Sequence, residues 1–166
     1  MNSPATAVRI RRMSVADLER VLEIAEGLPL APHWPASAYV AAMDLKNLPQ
    51  RVALVAERAA KEERDSSESW AVVGFVLAVA IPPEAELETI AVAAEVQRRG
   101  LGGLLMRALV DELKTAQVSE LNLEVRASNR MALRFYRRQA FEEAGRRPRY
   151  YADPEEDAVL MRLSLA

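Results

Sequence analysis

"AELETIAVAAEVQRRGLGGLLMRALVDELKTA", residues 85–116, reads as a strand, a glycine-rich turn and a helix in direct succession. Residues 85–92 have the apolar pattern of a strand, and Leu104, Leu105, Ala108, Leu109 and Leu113 recur at helical spacing. A second strand follows at 120–126, "ELNLEVR", with Leu121, Leu123 and Val125 alternating against Asn122, Glu124 and Arg126. Strand, helix and strand in this order form a βαβ crossover between parallel strands.

Outward from this unit, "SVADLERVLEIAEG" (14–27) predicts a helix with Ser14 as N-cap and Asp17 in the capping-box position. Leu18, Val21, Leu22 and Ala25 make its buried face, and Gly27 stops it. Pro29, Pro32 and Pro35 break regular structure, and "ASAYVAAMDLKN" (36–47) predicts a weaker second helix. "RVALVAER" (51–58) and "WAVVGFVLAVAI" (70–81) are β-branched runs, separated by the charged, serine-rich 59–69, which predicts a solvated hairpin loop. Beyond residue 126, Ser128 and Asn129 are cap residues for a helix over 130–139, and 141–147 and 157–165 predict two closing strands. Mixed elements, one crossover and hairpins at both ends exclude a doubly wound sheet and a pure sandwich. The expectation is a single α+β domain over residues 1–166.

Composition narrows the chemistry. The 22 Lys and Arg nearly balance the 24 Asp and Glu, for a formal charge of −2, so no net basic charge drives binding to nucleic acid. The chain has no cysteine and one histidine, His33, in the proline-flanked "PHWP". Disulfides, thiolate nucleophiles, Cys-ligated zinc, multi-histidine metal sites and triads with a spare histidine are thereby excluded. "MNSPATAVRIRRM" has no apolar leader region, and the longest apolar run is too short for a membrane span, so a soluble, cytoplasmic protein without metal is expected.

The turn "QRRGLGG", 97–103, puts unpaired N–H groups and the positive end of a helix dipole at one point, a setting for a phosphate. Gly100, Gly102 and Gly103 permit close approach of a ligand to the backbone, and Arg98 and Arg99 add charge. A P-loop would need a Gly-Lys-Ser/Thr that is absent, and a Rossmann fingerprint would need a third glycine where Leu105 stands. The turn resembles instead the Q/R-x-x-G-x-G/A signature of the GNAT superfamily of acetyl-CoA-dependent N-acetyltransferases, through Gln97, Arg99, Gly100 and Gly102. The order β, α, α, β, β, β, α, β, α, β, β is similar to that family's, which implies a mostly antiparallel mixed sheet with one crossover and about four helices.

"LEVRASN" (123–129), "FYRRQAF" (135–141), "YY" (150–151) and "EDA" (156–158) resemble the RimI-type branch, the ribosomal-protein-alanine N-acetyltransferases. That resemblance implies Glu124 as general base for an amine and Tyr136 as general acid for the departing thiolate of coenzyme A. The implied acceptor is a protein N-terminus, that of the eighteenth protein of the small ribosomal subunit. The chemistry is coherent, because an ammonium must lose a proton before it attacks a thioester and a phenol can protonate or hydrogen-bond a thiolate. By the same resemblance, Gln97, Arg98, Arg99, Gly100, Leu101, Gly102 and Gly103 cradle the pyrophosphate. Ile90, Ala91 and Val92 pair with the pantetheine through their main chain, and Asn129 touches the coenzyme.

Each of these residues has a plainer account. Glu124 reads equally as a surface carboxylate paired with Arg126 or another base, Tyr136 as a buried helix aromatic, Asn129 as an N-cap, and Glu84, Glu86 and Glu88 as an exposed acidic strand edge. Ala140 replaces the family glycine at a helix C-cap, where a left-handed residue other than glycine costs about 1 kcal/mol. Two alternatives stand beside the transferase reading: the same chemistry on a lysine or small-molecule amine, and a non-catalytic acyl-CoA-binding module.

Overall fold

Seven strands form one sheet in the order β1-β2-β3-β4-β5-β7-β6 in the computed structural model, which describes residues 7–30, 33–60 and 69–166. The strands are β1 (Val8–Arg12), β2 (Gln50–Ala60), β3 (Ser69–Ile81), β4 (Glu84–Val92), β5 (Glu120–Arg126), β6 (Glu142–Ala152) and β7 (Glu155–Ser164). The helices are α1 (Leu18–Glu26), α2 (Ala36–Met43), α3 (Leu101–Thr115) and α4 (Arg130–Arg138). Only β4 and β5, joined through α3, are parallel. Every other neighbouring pair is antiparallel, with β7 inserted between β5 and the edge strand β6. This is the mixed sheet with one crossover that the sequence predicts.

Consecutive residues Val52–Ala56 and Val72–Ala78 are buried, so the middle of the sheet is covered on both faces. Leu105 of α3 lies against Gly74, whereas Tyr39 of α2 meets the next residue, Phe75, edge to face at 5.8 Å. Neighbouring strand residues point to opposite faces, so α3 and α2 cover opposite sides. Leu105, Leu109 and Leu113, foreseen from helical spacing, are fully buried along α3.

Two local departures have clear causes. The second helix stops at Met43 rather than at residue 47, because polar side chains there supply competing bonds. Asp44 accepts from the Lys46 N–H at 2.9 Å, and Asn47 donates back to the Ala41 carbonyl at 3.2 Å. The first helical segment starts as a short 3-10 turn, Val15–Asp17, before α1. Most of the expected 59–69 loop, residues 61–68, lies outside the described residues.

Asp17 does more than cap. Its carboxylate accepts from the Ser14 N–H at 2.8 Å and takes both Arg11 guanidinium nitrogens, at 2.7 and 2.8 Å. Arg11 also reaches Glu57, which is 5% exposed and binds Arg9 as well, so β1, β2 and the start of α1 share one buried network. The Arg11 hydrogen bonds are the main reason that the Asp17 carboxyl falls from 3.8 to about 2. A depressed carboxyl stabilises the fold above its unfolded pKa and loses that contribution as pH falls through the folded one. Between pH 4 and 2 the chain is therefore expected to lose about 2 kcal/mol through Asp17. Urea unfolding across that range should show a steep acid branch that flattens in Asp17→Asn, and an equal slope in both proteins would remove Asp17 as its source.

Candidate active site

The parallel pairing of β4 with β5 covers only Glu84–Glu86 against Glu120–Asn122. At Glu88, β4 carries a bulge, since Leu77 faces Thr89 while Ala78 faces Leu87. A bulge bends and twists its strand, here just where the ladder to β5 ends. Glu88 is 13% exposed, and Arg51 holds it through both carboxylate oxygens at 3.0 and 3.3 Å. Beyond the bulge, Ile90, Ala91 and Val92 stay paired to β3, with β5 no longer alongside. That leaves a main-chain edge facing a gap in mid-sheet.

A cleft of about 610 Å³ lies over the paired ends of β4 and β5 and reaches Glu124, just past the last paired residue of β5; Val79, Ile81, Glu84, Glu86, Asn122, Arg147 and Arg162 also line it. Register puts Glu86 on the face of its partner Val79, and Asn122 on the face of Glu86, so Glu124 shares the face that bears α2. The three β4 glutamates are thus no strand edge, because β4 is the fourth of seven strands. Glu88 fixes the bulge, while Glu84 and Glu86 line the cleft. Burial, then the charges of Glu124 and Glu88, push the Glu86 carboxyl up.

Glu124 pairs with Arg147 of β6, at 2.8 Å, and not with Arg126. Arg126 is engaged elsewhere. It bonds Glu156 at 2.9 Å, donates to the Pro154 and Asp153 carbonyls and lies 4.2 Å over the Tyr151 ring. Hydrogen bonding to Glu124 and its negative charge push up the Tyr150 phenol, while burial raises that of Tyr151. The twin tyrosines therefore stand beside the carboxylate. Arg149 has a positive φ of 53°, and its N–H bonds Asp157 at 2.9 Å, while Glu156 also accepts from the Ser128 N–H at 3.0 Å. Both acids of the "EDA" block thus act as clamps. Arg147 is the site residue that the sequence reading missed, since the β6–β7 register breaks between Arg147 and Tyr151 and alternation cannot orient it.

On the other face stand the glycine turn and α3. Gly100, with φ of 83°, is the N-cap of α3 and has no side-chain cap bond, and its carbonyl takes the Leu104 N–H at 3.1 Å. The N–H groups of Gly100, Leu101, Gly102 and Gly103 accordingly have no partner within the helix. Arg98 is also left-handed, with φ of 62°, and Gln97 turns inward to donate to the Val92 carbonyl at 2.9 Å, fixing the turn to the end of β4. Gly102 has a packing reason of its own. A Cβ there would come within 3.0 Å of the Phe135 ring, which seats α4 against α3.

α4 opens at Asn129, whose side chain accepts from the Ala132 N–H at 3.1 Å, so its capping role is real. It closes at Ala140, which takes φ of 67° while the Phe141 and Ala140 N–H groups bond the Tyr136 and Arg137 carbonyls. That is the left-handed helix end expected of a glycine. Tyr136 packs between Phe135 and Phe141, and burial pushes its phenol well above 10, with a smaller contribution from Tyr151. It therefore stays protonated at neutral pH. Glu124 and Tyr136 make no direct hydrogen bond with each other, and Tyr151 is in electrostatic range of both.

A model of the acetyltransferase (GNAT) family matches residues 19–141. The ribosomal protein bS18-alanine N-acetyltransferase of Salmonella typhimurium is 45% identical over 94 residues, 55% of this chain and 64% of that protein. The match thus spans less than two thirds of that relative. The crystal structure of the ribosomal-protein-alanine N-acetyltransferase from Escherichia coli matches with TM-score 0.74 and 28% identity, over 96% of this chain and 95% of that one. Ard1 from Thermoplasma volcanium matches with TM-score 0.79 and 27% identity, over 96% and 99%.

Gly102→Val is expected to push Phe135 aside and cost about 1–3 kcal/mol by overpacking. Near-ultraviolet circular dichroism should report the disturbed Phe135, Tyr136 and Phe141 group. Adding Phe135→Ala should make the two changes strongly non-additive in urea unfolding, and simple additivity would rule out the ring as the cause.

Proposed function

Because the chain belongs to the acetyltransferase (GNAT) family, we propose that it transfers the acetyl group of acetyl-CoA to the N-terminal α-amine of a protein, the alanine N-terminus of a small-subunit ribosomal protein. The observation that carries this reading is the β4–β5 ladder that stops just before Glu124, a carboxylate lining the cleft, with the protonated Tyr136 phenol coupled to the same group through Tyr151. The acceptor is suggested by the Salmonella typhimurium relative, whose name specifies the bS18 alanine.

The chain has the groups that coenzyme A requires. The free N–H groups of Gly100–Gly103, the helix dipole and the cations of Arg98 and Arg99 suit a pyrophosphate. The unpaired side of Ile90, Ala91 and Val92 suits the amides of an extended pantetheine arm, added as a strand is added to a sheet edge. Gln97 acts through the turn it braces, and Asn129 marks the near end of α4. Bound there, acetyl-CoA supplies an activated acetyl thioester.

Glu124 then receives a proton from the acceptor ammonium, directly or through a water, and leaves a neutral amine free to attack. An α-ammonium near 7.7–8.0 gives up its proton far more readily than a lysine near 10.4, so one carboxylate suffices. Tyr136, kept protonated by burial, donates toward the sulfur as it departs. No covalent bond to the protein is needed.

An intact-mass assay with acetyl-CoA should show acetylation of a peptide with a free N-terminal alanine, and none of the same peptide blocked at its α-amine but bearing a lysine. Acetylation of the lysine alone would overturn the acceptor assignment. Glu124→Gln should lower turnover by roughly 10²- to 10⁴-fold with acetyl-CoA affinity kept, and unchanged turnover would remove Glu124 as the base. Tyr136→Phe should reduce kcat while acetyl-CoA binding persists; an unaltered kcat would assign Tyr136 to packing alone.

A further inference from the structure

Glu124 is already occupied in the chain by itself. The Arg147 guanidinium lies 2.8 Å from its Oε1, inside the same cleft. That contact is the kind made to be given up. It is made by a side chain 56% exposed on β6, just before the register breaks. Half-exposed ion pairs contribute little to stability and are readily exchanged. By contrast, Arg11 is 35% exposed in its pair with Asp17 and Arg51 29% in its pair with Glu88, and each makes two hydrogen bonds or more.

The surroundings favour exchange of one cation for another. Glu84 and Glu86 line the cleft, and the charge of Glu124 raises the Glu86 carboxyl, which places two carboxylates within electrostatic range of each other. Arg147 acts on both but carries a single positive charge. An entering ammonium is attracted by the remainder and finds a guanidinium already beside the base. When Arg147 swings away, the Tyr150 ring offers a place to rest, since the guanidinium already lies 5.5 Å from its centroid.

We propose that Arg147 is a stand-in for the acceptor: its guanidinium holds the place beside Glu124 that a protonated N-terminal amine takes, and yields it when the acceptor enters. Arg147 is thus a specificity residue that makes the cleft open to cations and not to neutral groups, which cannot displace it. This rests on the reading of Glu124 as the base that meets the amine.

The test measures equilibrium binding of a peptide with a free N-terminal alanine by calorimetry, in the presence of coenzyme A, alongside its acetylation rate. Arg147→Ala should tighten peptide binding by about two- to fivefold, the worth of an exchangeable surface pair. Arg147→Lys should restore the parent affinity. Millimolar guanidinium chloride, far below denaturing concentrations, should compete with the peptide in Arg147→Ala and leave the parent unaffected. A purely structural arginine would produce no such gained sensitivity. Unchanged or weaker peptide binding in Arg147→Ala, or absence of guanidinium competition, overturns the stand-in. Should Arg147→Ala fail to fold, Arg147→Gln carries the same measurements. A parent chain that binds the peptide without acetylating it overturns the transferase reading instead, and the binding data still decide on Arg147.

Discussion

The ion pair between Arg51 and Glu88 governs the architecture of the site. Glu88 is the extra residue of a β-bulge, and an acidic side chain with little exposure at such a point needs a partner. Arg51 supplies it from two strands away, reaching across β3. With the bulge so fixed, β4 turns away from β5 after three residues of parallel pairing. A fully zipped sheet would be continuous and featureless here. The interrupted one leaves Ile90–Val92 without β5 alongside, and the proposed chemistry depends on that interruption.

Charge is divided between the two sides of the sheet. The cleft side has carboxylates, Glu84, Glu86 and Glu124, relieved in part by Arg147, while Arg162 pairs with Glu120. The helix side has unpaired N–H groups, the positive end of the α3 dipole and two arginines of the turn. On the proposed reading, a cationic amine and an anionic coenzyme are drawn to opposite faces.

The sequence made the local rules legible and the long-range ones obscure. Ser14 and Asp17, the glycine turn and the cap at Asn129 could be placed because each works within a few residues of itself. Ala140 was identified as a left-handed position from a missing glycine, and its φ agrees. The order of elements and the single parallel pair followed from periodicity. What stayed hidden rests on pairs distant in sequence. Arg51 with Glu88, Arg147 with Glu124 and Gly102 beneath Phe135 each join separate elements, and no spacing rule connects them. The plainer account of Glu124 paired it with Arg126 or another base, and the partner is the distant Arg147, because Glu156 engages Arg126.

The Glu156 clamp has a consequence for how such proteins diversify. It ties the β5–α4 junction at Ser128 to the β6–β7 turn, while Asp157 fixes the backbone of the adjoining tyrosine segment. The tyrosine segment is therefore wired to the piece that carries Tyr136. Recombination between relatives that breaks the chain between residues 128 and 156 separates one half of this joint from its complement. Inheritance of the two as a block keeps the tyrosine segment aligned with α4.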